Sequence, residues 1–563
     1  MKKIILLSLV LGFSIHTISS QTSTYWVVFK DKNNSPYSLT KPSAYLSEKA
    51  LARRQRQHIP ISQTDLPVNP HYINQVKALG VMVMHQSKWF NAVNVSSADT
   101  MVMNEIRNLN CVQKVILLSS PSSKPTSPKY KDEAKSVKPI SVQPIEKSIQ
   151  SNVFDYGPSL AQAHQLGMDC MHNRGFQGQG MTIAYMDDGF YRADSLAAFD
   201  SLRANNQISG TYDFVTNNTY VYHDDDINLS HGMNTLSCSA GNLPGRIVGT
   251  APKAHFWLFV TEAYYSESWQ EETNWAVAAE FADSVGVDVI NTSLGYSINM
   301  TNSAENHSYS DMDGRTTIIS KAAALAARKG IAVVVSAGNS GGAPWYKITA
   351  PADADSILTV GAVDSLGFIV GFSSRGPTYD GRIKPSVCAR GLDAVVASPF
   401  GDVWNESGTS FSSPITAGAV ACLWQAHPNA NNIQVINAVM QSASQYTFPD
   451  TIQGYGIPNF CIADSILTSM VGIHEAFSNS TSLHVFPNPF HSAFTISLYA
   501  DAKQNVQVEL FDISGRTVLK QERKLMPSNN IFSIDELSTI EPGIYLLKIT
   551  STDSVITEKI IKQ

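Results

Sequence analysis

Between residues 155 and 470 the chain returns repeatedly to short runs of apolar residues with no polar alternation. "MTIAYMDDG", "AHFWLFVTE", "VDVINTSLG", "IAVVVSAGN" and "SILTVGAVD" are such runs. A strand with one wet face alternates apolar and polar side chains, so a strand without alternation must be covered on both faces. Helical stretches lie among them: "SHGMNTLSCSAG", "WQEETNWAVAAEFADSVG", "TTIISKAAALAARKG" and "SFSSPITAGAVACLWQAHP". Strands buried on both faces and helices to bury them predict an α/β domain over residues 151–470, a parallel sheet flanked by helices. In such sheets reactive groups gather at the carboxyl ends of the strands.

The flanks follow other patterns. Residues 1–20 carry Lys2 and Lys3, an apolar run from Ile4 to Ile15 and small residues to Ser20, the pattern of a secretory signal peptide. The run is too short for a membrane anchor. No other stretch is long and apolar enough to cross a membrane, so a mature form without a span is expected. Residues 21–120 mix strand-like "YWVVFKDK" and "VMVMHQSKWFNAVNVS" with helix-like "SAYLSEKALARRQRQ" and "NPHYINQVKALG". This predicts a small α+β unit, with Ser43 or Ser47 capping the first helix and Gly80 closing the second. Residues 121–150 are rich in Pro, Lys and Ser and read as an exposed linker open to proteolysis. In residues 471–563 helical patterns vanish. "LHVFPNPF", "AFTISLYA", "VQVELFDISG", "RTVLKQERKL", "NIFSIDEL", "GIYLLKIT" and "VITEKIIK" alternate with turn residues and predict a β-sandwich. A net charge of −6 spread over 563 residues gives no reason to expect a nucleic-acid partner.

The six cysteines form no C-x-x-C pair, so a zinc or redox motif is not indicated. If Cys111 leaves with the N-terminal unit, Cys170, Cys238, Cys388, Cys422 and Cys461 remain. That number is odd, so at least one stays unpaired or bonds to another chain. Cys238 and Cys422 sit among small residues on predicted helices and read as buried free thiols.

Three positions stand out for chemistry. Asp187 ends the strand "TIAYMD", His231 opens a helix before Gly232, and Ser410 opens another after Gly408-Thr409, with Pro414 in its first turns. Singly, each residue type is ordinary at a cap or turn. Together, at the mouth of one α/β sheet, Asp, His and Ser offer a nucleophile, a base and a group to orient the base. A competing nucleophile is Ser340, since Gly338-Asn339-Ser340-Gly341-Gly342 fits G-x-S-x-G. That motif needs a helix immediately after it, and Ala343-Pro344 starts none. The acidic residues Asp224–Asp226, Asp311 and Asp313 fit no EF-hand loop and read as solvated, so no metal site is assigned.

These segments resemble the subtilisin-like serine peptidases, the subtilase family. Asp187 matches the Asp of the family's D-x-G motif, His231 the first His of H-G-T-H and Ser410 the Ser of G-T-S-x-x-x-P. The resemblance implies that these three are the catalytic residues, in an acyl-enzyme mechanism. It further implies that Asn339, ending "VVVSAGN", donates to the oxyanion. The backbone of Ser293-Leu294-Gly295, in "VDVINTSLG", would hold a peptide or protein substrate. There are departures: Asn234 stands where the family has a second His, and Asp188 where Thr or Ser is usual. Two adjacent carboxylates repel and can raise one pKa. At a strand end they are expected to point apart, with only Asp187 facing His231. Many subtilases use calcium, so a structural calcium ion is allowed by the resemblance without a ligand set here.

The N-terminal unit resembles the inhibitor propeptide of subtilases, implying an intramolecular inhibitor removed at the linker. "VFPNPF", "VELFDISGRTV" and "PGIYLLKI" resemble the C-terminal sorting domain of the type IX secretion system. That implies a Bacteroidetes-type host, contact with the secretion machinery, and a secreted or surface location beyond both membranes. The rival expectations are a catalytically inactive subtilase-fold binding module and a serine esterase using Ser340.

Overall fold

The computed structural model describes residues 22–120, 152–475, 483–500, 502–535, 537–551 and 555–563. The expected signal peptide and linker lie outside the described residues. The chain divides into two compact units, Met1–Thr468 and Ser469–Gln563.

The N-terminal part of the first unit is an antiparallel sheet in the order β2-β3-β1-β4. Its strands are β1 (Ser23–Phe29), β2 (Met82–Ser87), β3 (Ala92–Ser97) and β4 (Val112–Ser119). Helices α1 (Glu48–Arg56), α2 (Pro70–Lys77) and α3 (Val102–Arg107) connect them. Ser47 is the α1 cap, its side chain accepting from the Ala50 N–H. In β1 the side chains Tyr25, Val27 and Phe29 pack with Ile73, Val76, Met103 and Ile106 of α2 and α3. The intervening Trp26 packs, with Ala92 and Leu118, against Trp269, Val277 and Ile318 of the following domain. A strand apolar on both faces thus has a second layer on both faces, one of its own and one borrowed.

That following domain is built on seven parallel strands: β5 (Thr182–Asp187), β6 (Ile208–Asp213), β7 (His255–Val260), β8 (Val289–Thr292), β9 (Ala332–Ser336), β10 (Leu358–Val363) and β11 (Val387–Arg390). Their order is β11-β10-β9-β8-β5-β7-β6, and every pairing is parallel. The five central strands are those expected from the apolar runs. The edge strands β6 and β11 were not expected. Helices α4 (His231–Ala240), α5 (Trp269–Val285), α6 (Ile318–Arg328) and α7 (Thr409–Ala426) cover the sheet. The order reverses between β5 and β8, and this switch point is where an open α/β sheet leaves a crevice. Asp187 ends β5, and Ser293 follows β8 directly.

Cys170 and Cys461 form a disulfide, while Cys111, Cys238, Cys388 and Cys422 are buried free thiols.

Among its described residues the second unit holds two antiparallel sheets, of three and four strands. Phe494, Ile496 and Leu498 from one sheet and Val508, Leu510 and Leu547 from the other share a core, as a β-sandwich requires.

Candidate active site

Asp187 and His231 meet because β5 ends where α4 begins. Gly232 permits the approach: a Cβ there would lie 2.2 Å from the Gly189 carbonyl oxygen and 2.9 Å from the Asp187 Cβ. His231 Nδ1 lies 2.6 Å from Asp187 Oδ1, and both residues are buried. The Thr235 hydroxyl, one turn along α4, donates to Asp187 Oδ2 at 3.0 Å, and the Asp188 N–H donates to Oδ1 at 3.0 Å. A carboxylate held by three donors cannot rotate, so it fixes the imidazole tautomer with the proton on Nδ1.

Asp187 hydrogen-bonds the imidazole at Nδ1. The two carboxylates do not point apart, however. Asp188 Oδ1 accepts from the Gly232 N–H at 3.2 Å. One oxygen of each carboxylate and a His231 nitrogen all lie within 4.8 Å of one another. The reason is packing: both carboxyls are buried under the same helix start. Burial first, then the charge of Asp187, pushes Asp188 well above the usual carboxylate range, which favours its neutral form. Asn234, in place of the family's second His, donates to the Ala397 carbonyl at 2.7 Å.

Ser410 is the second residue of α7, an 18-residue helix of small and apolar side chains buried almost throughout. Its Oγ lies 3.4 Å from the Ser293 carbonyl oxygen, and the Ser293 hydroxyl donates to the Ser410 carbonyl at 2.8 Å. The next residue, Phe411, has its ring 6.1 Å from the His231 ring, centroid to centroid. The start of α7 therefore adjoins the start of α4. Asn339 stands three residues beyond β9. Its Oδ1 accepts from both the Thr409 N–H and the Thr409 hydroxyl, each at 2.9 Å. That commitment sets the amide orientation and turns Nδ2 to the opposite edge.

Asn339, Ser293, Leu294, Gly295 and Ser410 line one cavity of about 440 Å³. Glu262, Glu267 and Thr349 line it as well, and none of these three stood out in the sequence. The one available signal was the position of Glu262, two residues past the end of buried β7.

Ser340 also lines the cavity, but no helix follows it, and its N–H donates to the Ser374 hydroxyl at 3.0 Å. His427, the histidine that a Ser340 nucleophile would need as its base, bonds Asp464 at 2.7 Å just past the far end of α7, roughly 25 Å along the helix from Ser410. Three of the acidic residues weighed for calcium accept from nearby backbone N–H groups. Asp226 accepts from the Asn228 N–H, Asp311 from the Ser308 N–H, and Asp313 from the Arg315 and Thr316 N–H groups.

Residues 178–456 match the model of the subtilase family. This part of the chain is a subtilase domain. Residues 24–135 match the peptidase S8 propeptide domain of Bacteroidota, and residues 484–563 the secretion system C-terminal sorting domain. Subtilisin E of Bacillus subtilis (strain 168) is 26% identical over 332 residues, covering 58% of this chain and 77% of that protein. The thermophilic serine proteinase of Bacillus sp. (strain AK1) is 31% identical over 247 residues, covering 44% and 53%. Among solved structures, the prenylagaramide maturation protease PagA aligns with a TM-score of 0.41 at 22% identity, over 54% of this chain and 99% of that one. The subtilase domain and its subtilisin relatives make the protein a serine endopeptidase. The sorting domain marks it for export, to the surface or the medium. No described helix is long and apolar enough to cross a membrane.

Proposed function

We propose that this endopeptidase hydrolyses peptide bonds through an acyl-enzyme on Ser410, with His231 as base and Asp187 as its orienting partner. The observation that carries the reading is the 2.6 Å His231–Asp187 bond, beside a helix start that presents Ser410. With its proton on Nδ1, the imidazole has an acceptor at Nε2. As Ser410 Oγ attacks the scissile carbonyl, its proton passes to Nε2, and the imidazolium is stabilised by Asp187. The oxyanion receives hydrogen bonds from Asn339 Nδ2 and the Ser410 N–H, and the positive end of α7 adds to them. Collapse of the tetrahedral intermediate returns the Nε2 proton to the leaving amine. Water, deprotonated by the same imidazole, then releases the acid product and frees Ser410. The edge Ser293-Leu294-Gly295 holds the substrate backbone.

In the same reading the signal peptide (1–20) and linker (121–150) are removed, and residues 21–120 inhibit the subtilase domain until release. The sorting domain, from about residue 471, is the handle for the secretion machinery.

The test is fluorophosphonate labelling and casein cleavage by the secreted protein, repeated in Ser410→Ala and Ser340→Ala. Loss of both signals in Ser410→Ala alone is expected. Labelling that persists in Ser410→Ala and vanishes in Ser340→Ala would make the protein an esterase of the other type. Mature protein that labels in no form would be an inactive binding module.

A further inference from the structure

The cavity beside Ser410 is unusual in its polarity. Its lining includes Glu262 and Glu267 and, among the described residues, no Lys, Arg or His. Glu262 is buried and Glu267 half-buried. An oxygen of each, with one from the buried Glu271, lies within 4.8 Å of the others. The Tyr296 hydroxyl donates to Glu262. Burial, then the charges of Glu262, Glu271 and Glu267, holds that phenol well above its usual pKa, so it stays a donor and adds no charge. Glu271 is turned to local backbone, accepting from the Ala263 and Ser268 N–H groups.

A second, independent feature of the same cavity is a buried hydroxyl with no partner among the described residues. Thr349 is 5% exposed, and its Oγ1 has no hydrogen-bond partner among the described residues. The hydroxyl occupies the slot left by two glycines of the lining: a Cβ on Gly295 would lie 2.1 Å from Oγ1, and one on Gly338 3.1 Å. An apolar side chain seated there would leave a buried hydroxyl unsatisfied and a buried carboxylate facing hydrocarbon, and both are unfavourable. An acidic side chain would meet two like charges. A lysine or arginine brings only donors and a positive charge.

Charge complementarity within the chain agrees. Residues 121–150, where the propeptide must be cut away, contain six Lys, no Arg and three acidic residues. Resting on the Ser410 reading above, we infer that this cavity selects a cationic substrate side chain. Glu262 and Glu267 supply the opposing charge and Thr349 Oγ1 a dehydrated hydrogen-bond acceptor. The enzyme's own lysine-rich connector is then a substrate of the matching class.

The experiment is cleavage of a peptide library, randomised at the positions flanking the scissile bond, by the secreted, processed protein. The result expected is a preference of roughly tenfold or more for Lys or Arg over Leu, Phe and Ala at one position. In Glu262→Gln and Glu267→Gln that ratio should fall toward one. A ratio taken on one enzyme preparation is independent of how much of it folded, and Glu267, half-buried, gives a variant less exposed to misfolding. Cleavage with no cationic preference, or an unchanged ratio in both variants, overturns the inference and leaves Ser410 as nucleophile. Failure to cleave any peptide overturns both.

Discussion

Replacing Asp283 by Asn should detach the propeptide without disabling the enzyme. Asp283 lies on α5, fully buried, and three cations of the N-terminal unit converge on it. Arg53 reaches it at 2.5 Å, Arg54 at 2.7 and 2.8 Å, and Lys88 at 3.2 Å. Arg54 also pairs with Asp65 at 3.0 Å, and Lys329 of the subtilase domain meets Asp65 at 2.9 Å. Burial alone would raise the Asp283 pKa, but Lys88, Arg53 and Arg54 outweigh it and hold the group at about 2. Without its charge, Arg53, Arg54 and Lys88 lose their common partner, and Arg54 keeps only Asp65, which it shares with Lys329. Removing one partner of a buried ion pair costs about 3–5 kcal/mol, because the remaining charges stay desolvated and uncompensated. At the lower figure the propeptide dissociation constant rises roughly a hundredfold. The assay is inhibition of purified mature enzyme by added residues 22–120, with and without the substitution. Once the propeptide has left, Asp283 faces solvent, so kcat/KM of the mature variant should equal that of the parent. An inhibition constant within about threefold of the parent would refute the assignment of binding energy to this cluster.

Three further outcomes are expected. Glu280, which accepts from the Lys88 and Trp89 N–H groups and the Ser87 hydroxyl, is raised by burial to about 7 despite those donors. A raised carboxyl stabilises the complex fully below its ordinary value near 4.5 and loses that contribution as pH rises through 7. Propeptide release should therefore be faster at pH 8 than at pH 5, and Glu280→Gln should flatten the profile measured by gain of activity. Asn339→Ala should lower kcat by about 10²–10³ with KM little changed, the size of effect typical for loss of one oxyanion donor; steady-state kinetics on a peptide substrate read this directly. Gly232→Ala forces α4 away from β5, and a displacement near 1 Å at the His231–Asp187 bond should cost about a hundredfold in kcat while the protein still folds by circular dichroism.

How much was legible in the sequence depended on what covers each element. β5, β7, β8, β9 and β10 lie inside the sheet, so their Val and Ile runs announced them. β6, "ISGTYD", is half-buried along most of its length and carries Gly210 against Trp257; an edge strand packs on fewer neighbours and shows no run. β11 has four residues directly after Lys384-Pro385-Ser386 and is too short for a pattern. Asp187, His231 and Ser410 could be read because each stands at the junction of a recognisable strand or helix. Glu280 and Asp283 could not. On α5 they look like ordinary polar positions of an amphipathic helix, and only docking of the N-terminal sheet buries them. Glu262, Glu267 and Thr349 belong to loops whose meeting at one cavity depends on the fold of the whole domain.

The Cys170–Cys461 bond has a consequence for how the chain answers proteolysis. It joins the helix Met168–Asn173 to the helix Phe460–Glu475, across 291 residues of sequence. Every strand of the parallel sheet, and Asp187, His231, Asn339 and Ser410, lie on the closed ring so formed. Residues 121–150 and the sorting domain lie outside it, on the two tails. A single stray cut within the ring opens a loop but releases no fragment, whereas a cut on either tail sheds that tail outright. The covalent topology thus separates trimming from destruction: one scission is enough to remove a tail, while the body of the domain tolerates a nick that would divide an unbridged chain.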